Sequence, residues 1–508
     1  MSGRTPPWGL GDISMINWRL ILKIIGILLH IEAGLMALCQ IVAFIYGEGV
    51  KSFSLPILIA CVTGVICILI GRNSGKTMGR KDGYIVVSAT WVVFTIIGML
   101  PFLIDGSVPD VASAFFETMS GFTSTGATII DNIDAMPRCL LFWRSLTQWI
   151  GGIGIVFFTI AILPAFGVGE VKLFAAESTG PLHDKVHPRI SVAAKWIGSV
   201  YVVLTILCII SLMLCGMGTF DAVNYAMCTT ATGGYGTHSA MLHEVFNSPM
   251  IEYVLTFFMF VSGINYTLIY YTILKGKIKQ FLRDAEVRCF YLIVLGATLV
   301  CTVFLAIDNP VHDVELAFRE SIFTVISLQT TTGLATCDYT LWPVQLMPIL
   351  LFVMFAGACS GSTSGGFKCI RLSIIYRVLK NEFTRILHPR AVVPVRLNNG
   401  VVPQSVVQTL ICFITLFVLG LFGGAFVLAL FGVDPNDVHP NFDYYEAFGI
   451  AMSSISNVGP GMGYYGPAHT WMILNPFAKW VCSFLMLIGR LEIFPIIILF
   501  TRSFWKKN

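Results

Sequence analysis

Residues 115–128 read FFETMSGFTSTGAT, a half-apolar stretch that runs into a Thr/Ser-rich loop around Gly126. Similar segments follow along the chain: TATGGY around Gly233, TTTGLA around Gly333 and SNVGPG around Gly459. Four similar backbone turns in one chain can surround a cation and replace its hydration shell with carbonyl oxygens. The fold therefore depends on whether the flanking sequence holds the four loops around a common axis.

The composition is that of a polytopic membrane protein. Of the 508 residues, 56% are hydrophobic and 12% are charged, with a mean hydropathy of +0.79, whereas soluble domains are about 25% charged. No small-residue cleavage site follows the apolar run near Ile21, so we expect a retained first membrane helix. The 14 cysteines are scattered without a CxxC or Cys/His cluster, which favours buried apolar roles over a metal site or disulfide framework.

The basic residues cluster between apolar segments. Lys and Arg in short loops mark the cytosolic side of a membrane protein, and the spacing of the apolar segments argues against a nucleic-acid surface. We therefore expect cytosolic loops or ends at residues 72–81, 172–189, 275–288, 368–390 and 502–507. Both termini are then cytosolic.

About 20 apolar residues cross a bilayer as a helix. We predict crossings at residues 18–47, 53–72, 85–104, 139–165, 191–215, 247–273, 287–307, 345–387 with an interruption, 401–432 and 471–501. Shorter half-apolar stretches lie at 110–122, 220–230, 316–329 and 443–455, and each ends in a Gly loop. Two helices are thus followed by a unit of helix, half-helix, Gly loop and helix that occurs four times.

The sequence predicts an all-α polytopic membrane protein with four pseudo-symmetric helix-pore loop-helix repeats around a central pore. An N-terminal two-helix unit, 1–84, precedes repeats at 85–190, 191–286, 287–396 and 397–508. Because the basic loops share one side, the half-helices and Gly loops must re-enter from the outer side. Such backbone is tolerated at membrane depth only inside protein or beside a water-filled cavity.

The loops supply the candidate lining of an ion filter. Glycine is needed there because close backbone approach or a positive φ is nearly free only without a Cβ. The candidates are Thr123, Ser124, Thr125 and Gly126; Thr230, Ala231, Thr232 and Gly233; Thr330, Thr331, Thr332 and Gly333; and Ser456, Asn457, Val458 and Gly459. Any one loop alone is more typical of a helix C-cap, but four in one repeat framework favour the filter.

The half-helices also predict an electrostatic arrangement. Their carboxyl ends carry about half a negative charge each and point towards the membrane centre, which favours a cation. Acids near the opposite ends could gather cations at the outer mouth, or simply favour helix starts. These acids are Asp110, Asp221, Glu315 or Glu320, and Asp443 or Glu446.

A glycine-rich break interrupts the second helix of the third repeat. Residues 357–366 read GACSGSTSGG, which is unfavourable for a continuous helix. We interpret the segment as a gate beneath the filter. The candidate gate residues are Gly357, Ser360, Gly361, Ser362, Thr363, Ser364, Gly365 and Gly366.

Two glycine patterns resemble nucleotide-binding motifs but lack their context. Gly361 and Gly366 have P-loop spacing, yet Phe367 stands where the lysine belongs, and the segment follows an apolar helix instead of a strand. Residues 461–466 match GxGxxG without a βαβ unit. Neither pattern supports an organic cofactor in this chain.

Arg490 lies deep in the last apolar segment. A charge there costs about 2.5 to 3.5 kcal/mol at the bilayer centre on insertion scales. It either pairs with Glu492, extends to the inner surface, or lies below the filter, raises the barrier for cations and contacts the gate. We adopt the last as the hypothesis.

Other function classes are less consistent with the sequence. A secondary transporter of another solute, built on broken helices, would aim half-helix amino ends at its substrate, whereas carboxyl ends converge here. An enzyme would need clustered His, Asp/Glu or Ser/His/Asp groups at membrane depth, and the histidines lie mostly in loops. The residues favour a cation-translocating subunit, channel-like or ion-coupled, and no enzyme.

Four motifs are specific as a set: FFETMSGFTSTGAT, FWRSLTQWIGGIGI at 142–155, GACSGSTSGGFKCIR at 357–371 and IGRLEIFP at 488–495. On these motifs the chain resembles the TrkH/KtrB family of potassium-uptake subunits, and the two-helix preamble is similar to TrkH in particular. The resemblance implies one filter glycine per repeat, at Gly126, Gly233, Gly333 and Gly459, a gating loop at 357–366 and a pore-facing Arg490. In plant relatives a serine at the first filter glycine accompanies sodium transport, so Gly126 points to potassium.

The resemblance also implies an assembly. The family works as a homodimer on a cytosolic ring of nucleotide-binding subunits of the TrkA/KtrA type, which the basic loops would contact. It places the protein in the bacterial inner membrane and makes potassium the bound ion. The fourth loop, with Val458 and Pro460 around its glycine, departs most from the pattern.

Overall fold

The computed structural model describes residues 16–75, 78–161, 190–276, 278–308, 313–398, 400–432 and 442–506. The predicted basic cluster at 172–189 lies outside these ranges, as do Lys76, Lys277 and Lys507 of the other clusters. The end of the predicted crossing at 139–165 also lies outside them.

The N-terminal unit is a pair of long helices. They are α1 (Trp18–Ile45) and α2 (Lys51–Ile70). Asn17 caps α1, since its side chain accepts a hydrogen bond from the Leu20 N–H. A Cβ on Gly26 of α1 would lie 2.6 Å from the carbonyl oxygen of Gly64 in α2. Glycine therefore lets the two helices approach closely, as is common in membranes.

The first repeat places a short helix between two long ones. Its elements are α3 (Arg80–Gly98), α4 (Leu100–Asp105), α5 (Val111–Phe122) and α6 (Arg138–Ala161). The predicted half-helix at 110–122 corresponds to α5, and all of its side chains except that of Val111 are buried. At 12 residues α5 is too short to span a bilayer.

The second repeat differs from the prediction in its second helix. Its elements are α7 (Ile190–Leu214), α8 (Thr219–Ala231), α9 (Leu242–Phe246), α10 (Pro249–Ser262), α11 (Tyr266–Lys275) and α12 (Ile278–Arg283). The predicted crossing at 247–273 is not one continuous helix, because α10 and α11 meet at 100°. Asn265 starts α11 by accepting from the N–H groups of Thr267 and Leu268.

The third repeat contains the predicted interruption. Its elements are α13 (Ala285–Asp308), α14 (Val314–Gln329), α15 (Met347–Ala356), α16 (Cys369–Leu387), and the strands β1 (Arg396–Leu397) and β2 (Gly400–Val401), which pair antiparallel. Helix α15 ends just before the glycine-rich segment 357–366, and α16 resumes after it.

The fourth repeat is also broken in its second helix. Its elements are α17 (Gln404–Phe431), α18 (Tyr444–Ser456), α19 (Pro476–Arg490), α20 (Phe494–Ile497) and α21 (Arg502–Trp505). The predicted crossing at 471–501 is not one straight helix, because the chain turns by 114° after Arg490. Glu492 and Ile493 adopt positive φ values at this turn.

Six described helices are long and apolar enough to cross a membrane, and each of the two bent pairs adds one if it forms a single span. The chain is therefore an all-α, multi-pass membrane protein, as predicted. The half-helices α5, α8, α14 and α18 are packed inside it, and most of their side chains are buried.

Candidate functional site

The loops after the four half-helices share one backbone conformation. First comes a non-glycine residue with a positive φ: Ser124, Thr232, Thr331 and Asn457. Next comes a residue whose N–H donates to the carbonyl five positions earlier, at 2.8 to 3.0 Å: Thr125, Gly233, Thr332 and Val458. Last comes a glycine with a positive φ: Gly126, Gly234, Gly333 and Gly459. The loops are thus copies of one turn.

The register of the second loop is shifted by one residue from the predicted alignment. Gly234, not Gly233, is equivalent to the glycines of the other loops, and Gly233 occupies the position of Thr125. The shift arises because α8 ends at Ala231 and its C-cap, Thr232, is the residue with left-handed backbone angles. The predicted lining residues Thr230 and Ala231 consequently lie in the last turn of the helix.

The four glycines close the loops into a ring. Each glycine faces the carbonyl oxygen of the next loop, so that an added Cβ would collide with it. The distances from such a Cβ would be 2.0 Å for Gly126 to Gly233 O, 2.0 Å for Gly234 to Thr332 O, 2.1 Å for Gly333 to Val458 O and 2.7 Å for Gly459 to Thr125 O. The order of contacts returns to the first loop, and only glycine fits at each junction.

Side-chain hydrogen bonds fix this ring. Gln148 of α6 donates from Nε2 to Gly233 O at 2.7 Å, and its Oε1 accepts from the Tyr235 N–H at 3.1 Å. Asn457 donates from Nδ2 to Thr125 Oγ1 at 3.0 Å and to Met486 O at 2.9 Å. Gln148 was not among the predicted lining residues, although a lone amide within an apolar helix was a signal for it.

Four of the acids near the outer ends of the half-helices accept hydrogen bonds within the protein. Asp110 and Asp443 cap α5 and α18 by accepting from backbone N–H groups. Asp221 accepts from Thr237 Oγ1 at 2.7 Å, and Glu446 accepts from the Tyr464 N–H at 2.9 Å. The alternative that acids favour helix starts thus accounts for the two caps.

A polar contact joins the segments that follow the first and second loops. Asp134 accepts from the Ser239 N–H at 3.0 Å and contacts His238 Nδ1 at 2.8 Å. The Ser239 N–H, aided by His238, holds the pKa of Asp134 below its ordinary value. The carboxylate is therefore ionised at neutral pH and can hold the two segments together.

A buried ion pair supports the first half-helix. Glu117 of α5 accepts from Arg144 Nε at 2.9 Å, and both side chains are at most 1% exposed. Glu117 also accepts from the Ile129 N–H at 3.0 Å, and Arg144 donates to Gly236 O at 3.2 Å. The pair thus joins α5 and α6 to the segments beyond the first two loops. The sequence contained a signal for this pair, because Glu117 is the one charge in FFETMSG and Arg144 is the one charge in FWRSLT.

We expect Arg144→Gln to destabilise the protein by about 3 to 5 kcal/mol, because it leaves the Glu117 carboxylate buried without its cation. Thermal unfolding of the purified protein in detergent measures the loss. The double variant Glu117→Gln with Arg144→Gln should lose less than Arg144→Gln alone, since no unpaired charge remains. A double variant less stable than Arg144→Gln would contradict this account.

The segment 357–366 lies against the carboxyl ends of three half-helices. Thr363 Oγ1 donates to Thr230 O at 3.0 Å, the Gly365 N–H donates to Thr331 Oγ1 at 2.7 Å, and the Gly366 N–H donates to Ser456 O at 2.8 Å. It follows that the predicted gate residues directly contact the predicted filter segments of the second, third and fourth repeats.

The same segment is held by the break in the second repeat. The Cys359 N–H donates to Gly263 O at 2.9 Å, and the Tyr266 N–H donates to Gly361 O at 3.2 Å. Each break thereby supplies partners for backbone groups that a continuous helix would have paired internally. Inside the segment, Ser362 Oγ donates to Cys359 O and contacts Ser364 Oγ at 2.8 Å; Ser360 is also buried.

Arg490 contacts this segment directly. Its Nη1 donates to Thr363 O at 2.8 Å and its Nη2 donates to Gly151 O of α6 at 3.2 Å. The side chain is buried, so it does not extend to the surface. The alternative of pairing with Glu492 is also wrong, because Glu492 accepts from Arg371 Nη2 at 2.8 Å. Among the described residues, no carboxylate lies within 4.0 Å of Arg490.

Comparisons with known proteins agree with this architecture. A family model described as TrkH, cation transport protein, matches residues 56–507. The Trk system potassium uptake protein TrkH of Salmonella typhimurium is 35% identical over 497 residues, covering 97% of this chain and 100% of that protein. The Trk system potassium uptake protein TrkG of Escherichia coli K12 is 35% identical over 497 residues, covering 96% and 99%.

A solved structure is also similar along nearly the whole chain. The crystal structure of the potassium transporter TrkH from Vibrio parahaemolyticus matches with a TM-score of 0.87 at 33% identity, covering 97% of this chain and 100% of that one. The match of the family model over most of the chain agrees with these relatives. The chain therefore belongs to the TrkH family of cation transport proteins.

Proposed function

We propose that this protein takes up potassium ions across the cell membrane through the ring of four loops. The observation that carries the proposal is the closed cycle in which each loop's glycine meets the carbonyl oxygen of the next. Such a cycle brings carbonyl oxygens of all four repeats to one place, where they can replace the hydration shell of a cation. The relatives that carry potassium uptake in their names support potassium as the ion.

The filter is lined by the residues that the four loops share. In each loop these are the left-handed residue, the residue after it and the glycine: Ser124, Thr125 and Gly126; Thr232, Gly233 and Gly234; Thr331, Thr332 and Gly333; and Asn457, Val458 and Gly459. The half-helix ends that converge here carry partial negative charge and favour a cation.

The gate is the segment 357–366 together with Arg490. Its contacts with Thr230 O, Thr331 Oγ1 and Ser456 O support this role, because a change in its conformation would then alter the path beside the filter. Arg490 adds a positive charge and two hydrogen bonds that hold the segment against α6. Motion of this segment would therefore control the flow of ions.

The working assembly is a homodimer in the bacterial inner membrane, with cytosolic termini, bound to a TrkA/KtrA-type nucleotide-binding subunit. The relatives named as members of a Trk system support a multi-component assembly. Positively charged loops on the cytosolic side would form the docking surface. Nucleotide sensing then belongs to the partner, and this chain supplies the path for the ion.

Expression in a bacterium that lacks potassium uptake tests the function. The wild-type chain, co-expressed with its cytosolic partner, should restore growth at low external potassium, and rubidium uptake should rise in parallel. An empty vector and the partner alone are the controls. A well-expressed chain that restores neither growth nor rubidium uptake would overturn the proposal.

A further inference from the structure

Glu32 is an acidic side chain in the middle of α1 that the filter and gate do not use. It is 0% exposed, and neither carboxyl oxygen has a hydrogen-bond partner among the described residues. The proposed filter and the proposed gate therefore give Glu32 no role. An acid with such surroundings requires a physical explanation, because buried polar groups are normally paired.

The carboxyl group lies where the N-terminal unit meets the first repeat. Glu32 Oε1 is 3.3 Å from the position that a Cβ would take on Gly98, the last residue of α3. The same position lies 3.0 Å from Thr118 Cγ2 and 2.9 Å from Phe122 Cε2, both in the half-helix α5. Gly98 O also accepts from Trp143 Nε1 of α6 at 3.0 Å. Glu32 is thus one contact away from the helix that leads to the Gly126 loop.

Among the described side chains of the neighbouring helices, no cation pairs with this carboxyl group. Helix α1 packs against α2, α3 and α6. The ionisable residues of these helices and of α4 and α5 are Lys51, Cys61 and Cys67 on α2, Arg80, Lys81, Asp82 and Tyr84 at the start of α3, Asp105 on α4, Glu117 on α5, and Arg138, Cys139 and Arg144 on α6. On α1 itself they are Arg19, Lys23, His30 and Cys39.

The basic groups nearest in the chain are engaged elsewhere. Arg144 pairs with Glu117, Arg138 lies over the Tyr46 ring at 4.5 Å, and His30 Nδ1 contacts Gly26 O at 2.7 Å. The charged residues of α3 lie in its first turn, at the opposite end from Gly98. An ionised Glu32 would therefore be a buried charge with neither a cation nor a hydrogen-bond donor, which is very costly.

We propose that Glu32 is a proton-binding site, occupied at neutral pH, that keeps the first half-helix seated against the N-terminal unit. A neutral acid can remain in this apolar junction. An ionised acid would instead draw water between α1, α3 and α5 to solvate its charge. Loss of the proton in alkaline solution would then displace α5 and disturb the Gly126 loop. This coupling to ion flow rests on the proposed function; the proton site itself does not.

Infrared difference spectroscopy of the full-length protein in lipid tests for the proton. Subtracting the spectrum of Glu32→Gln from that of the wild type at about pH 7 should reveal the C=O stretch of a carboxylic acid. Glu382→Gln is the matched control, because Glu382 is exposed beside Arg385 and should contribute carboxylate bands instead. Carboxylate bands in the Glu32 difference spectrum would overturn the proposal.

Rubidium uptake as a function of pH tests the coupling. Glu32→Gln mimics the protonated acid, so it should retain uptake within about twofold of the wild type at neutral pH and keep it in alkaline solution, where the wild type declines severalfold. Glu244→Gln, at an exposed acid of α9 outside the basic loops, should follow the wild type. Identical alkaline profiles for the wild type and Glu32→Gln would overturn the coupling. A protein that carries no rubidium but shows the acid band refutes the proposed function and leaves the proton site standing.

Discussion

Gly234→Ala should abolish potassium and rubidium uptake, with a decrease of at least about tenfold. The new Cβ would lie 2.0 Å from Thr332 O of the third loop, which is backbone and cannot move aside without opening the ring. The residue also has a φ of 80°, where an L-residue costs about 1 to 2 kcal/mol. Uptake by cells that express equal amounts of each variant measures the effect.

Two further glycine variants separate the ring contact from general damage. Gly296→Ala, in α13, meets nothing within 4 Å and should leave uptake unchanged. A Cβ on Gly233 would instead lie 2.4 Å from the Gln148 side chain, so Gln148→Ala should partly restore uptake to Gly233→Ala but not to Gly234→Ala. Full uptake by Gly234→Ala would refute the register assigned to the second loop.

Arg490→Ala should raise ion flux and weaken its dependence on the cytosolic partner. At an effective dielectric constant of 20, a unit charge about 10 Å from the ion raises its energy by about 1.7 kcal/mol, which corresponds to a rate change on the order of tenfold. The substitution also frees Thr363 O in the segment 357–366 and Gly151 O in α6. Rubidium flux into proteoliposomes, with and without the partner, measures both effects.

Conservative variants at the same position separate charge from hydrogen bonding. Arg490→Lys keeps the positive charge and should stay close to wild-type flux, whereas Arg490→Gln keeps a donor without the charge and should behave like Arg490→Ala if the electrostatic barrier dominates. If Arg490→Ala left both flux and regulation unchanged, the role assigned to Arg490 would be refuted.

The positions of the half-helices could be read from the sequence because local rules decide them. Apolar length separates spanning from short helices, and caps such as Asp110 and Asp443 mark where α5 and α18 begin. The glycine-rich composition of 357–366 likewise predicted its break, since four glycines disfavour a helix wherever they stand. The filter and gate roles assigned to these segments remain predictions until the variants above are measured.

Other features depend on partners distant in the chain. The break at residues 263–265 is stabilised by backbone bonds to Cys359 and Gly361, almost a hundred positions away, and apolar composition alone predicted a continuous helix there. Arg490 had a nearby acid in the sequence, yet the turn after it directs Glu492 to Arg371 and Arg490 to Thr363.

The sequence by itself determined the four-repeat membrane architecture and the glycine content of the loops. The reason is that the length of an apolar segment and the position of a glycine set the local backbone structure. Only the tertiary structure decided which glycine of the pair Gly233 and Gly234 closes the ring. Either glycine could adopt a positive φ. The choice depends on where α8 ends and on the carbonyl of Thr332, which the fold brings against Gly234.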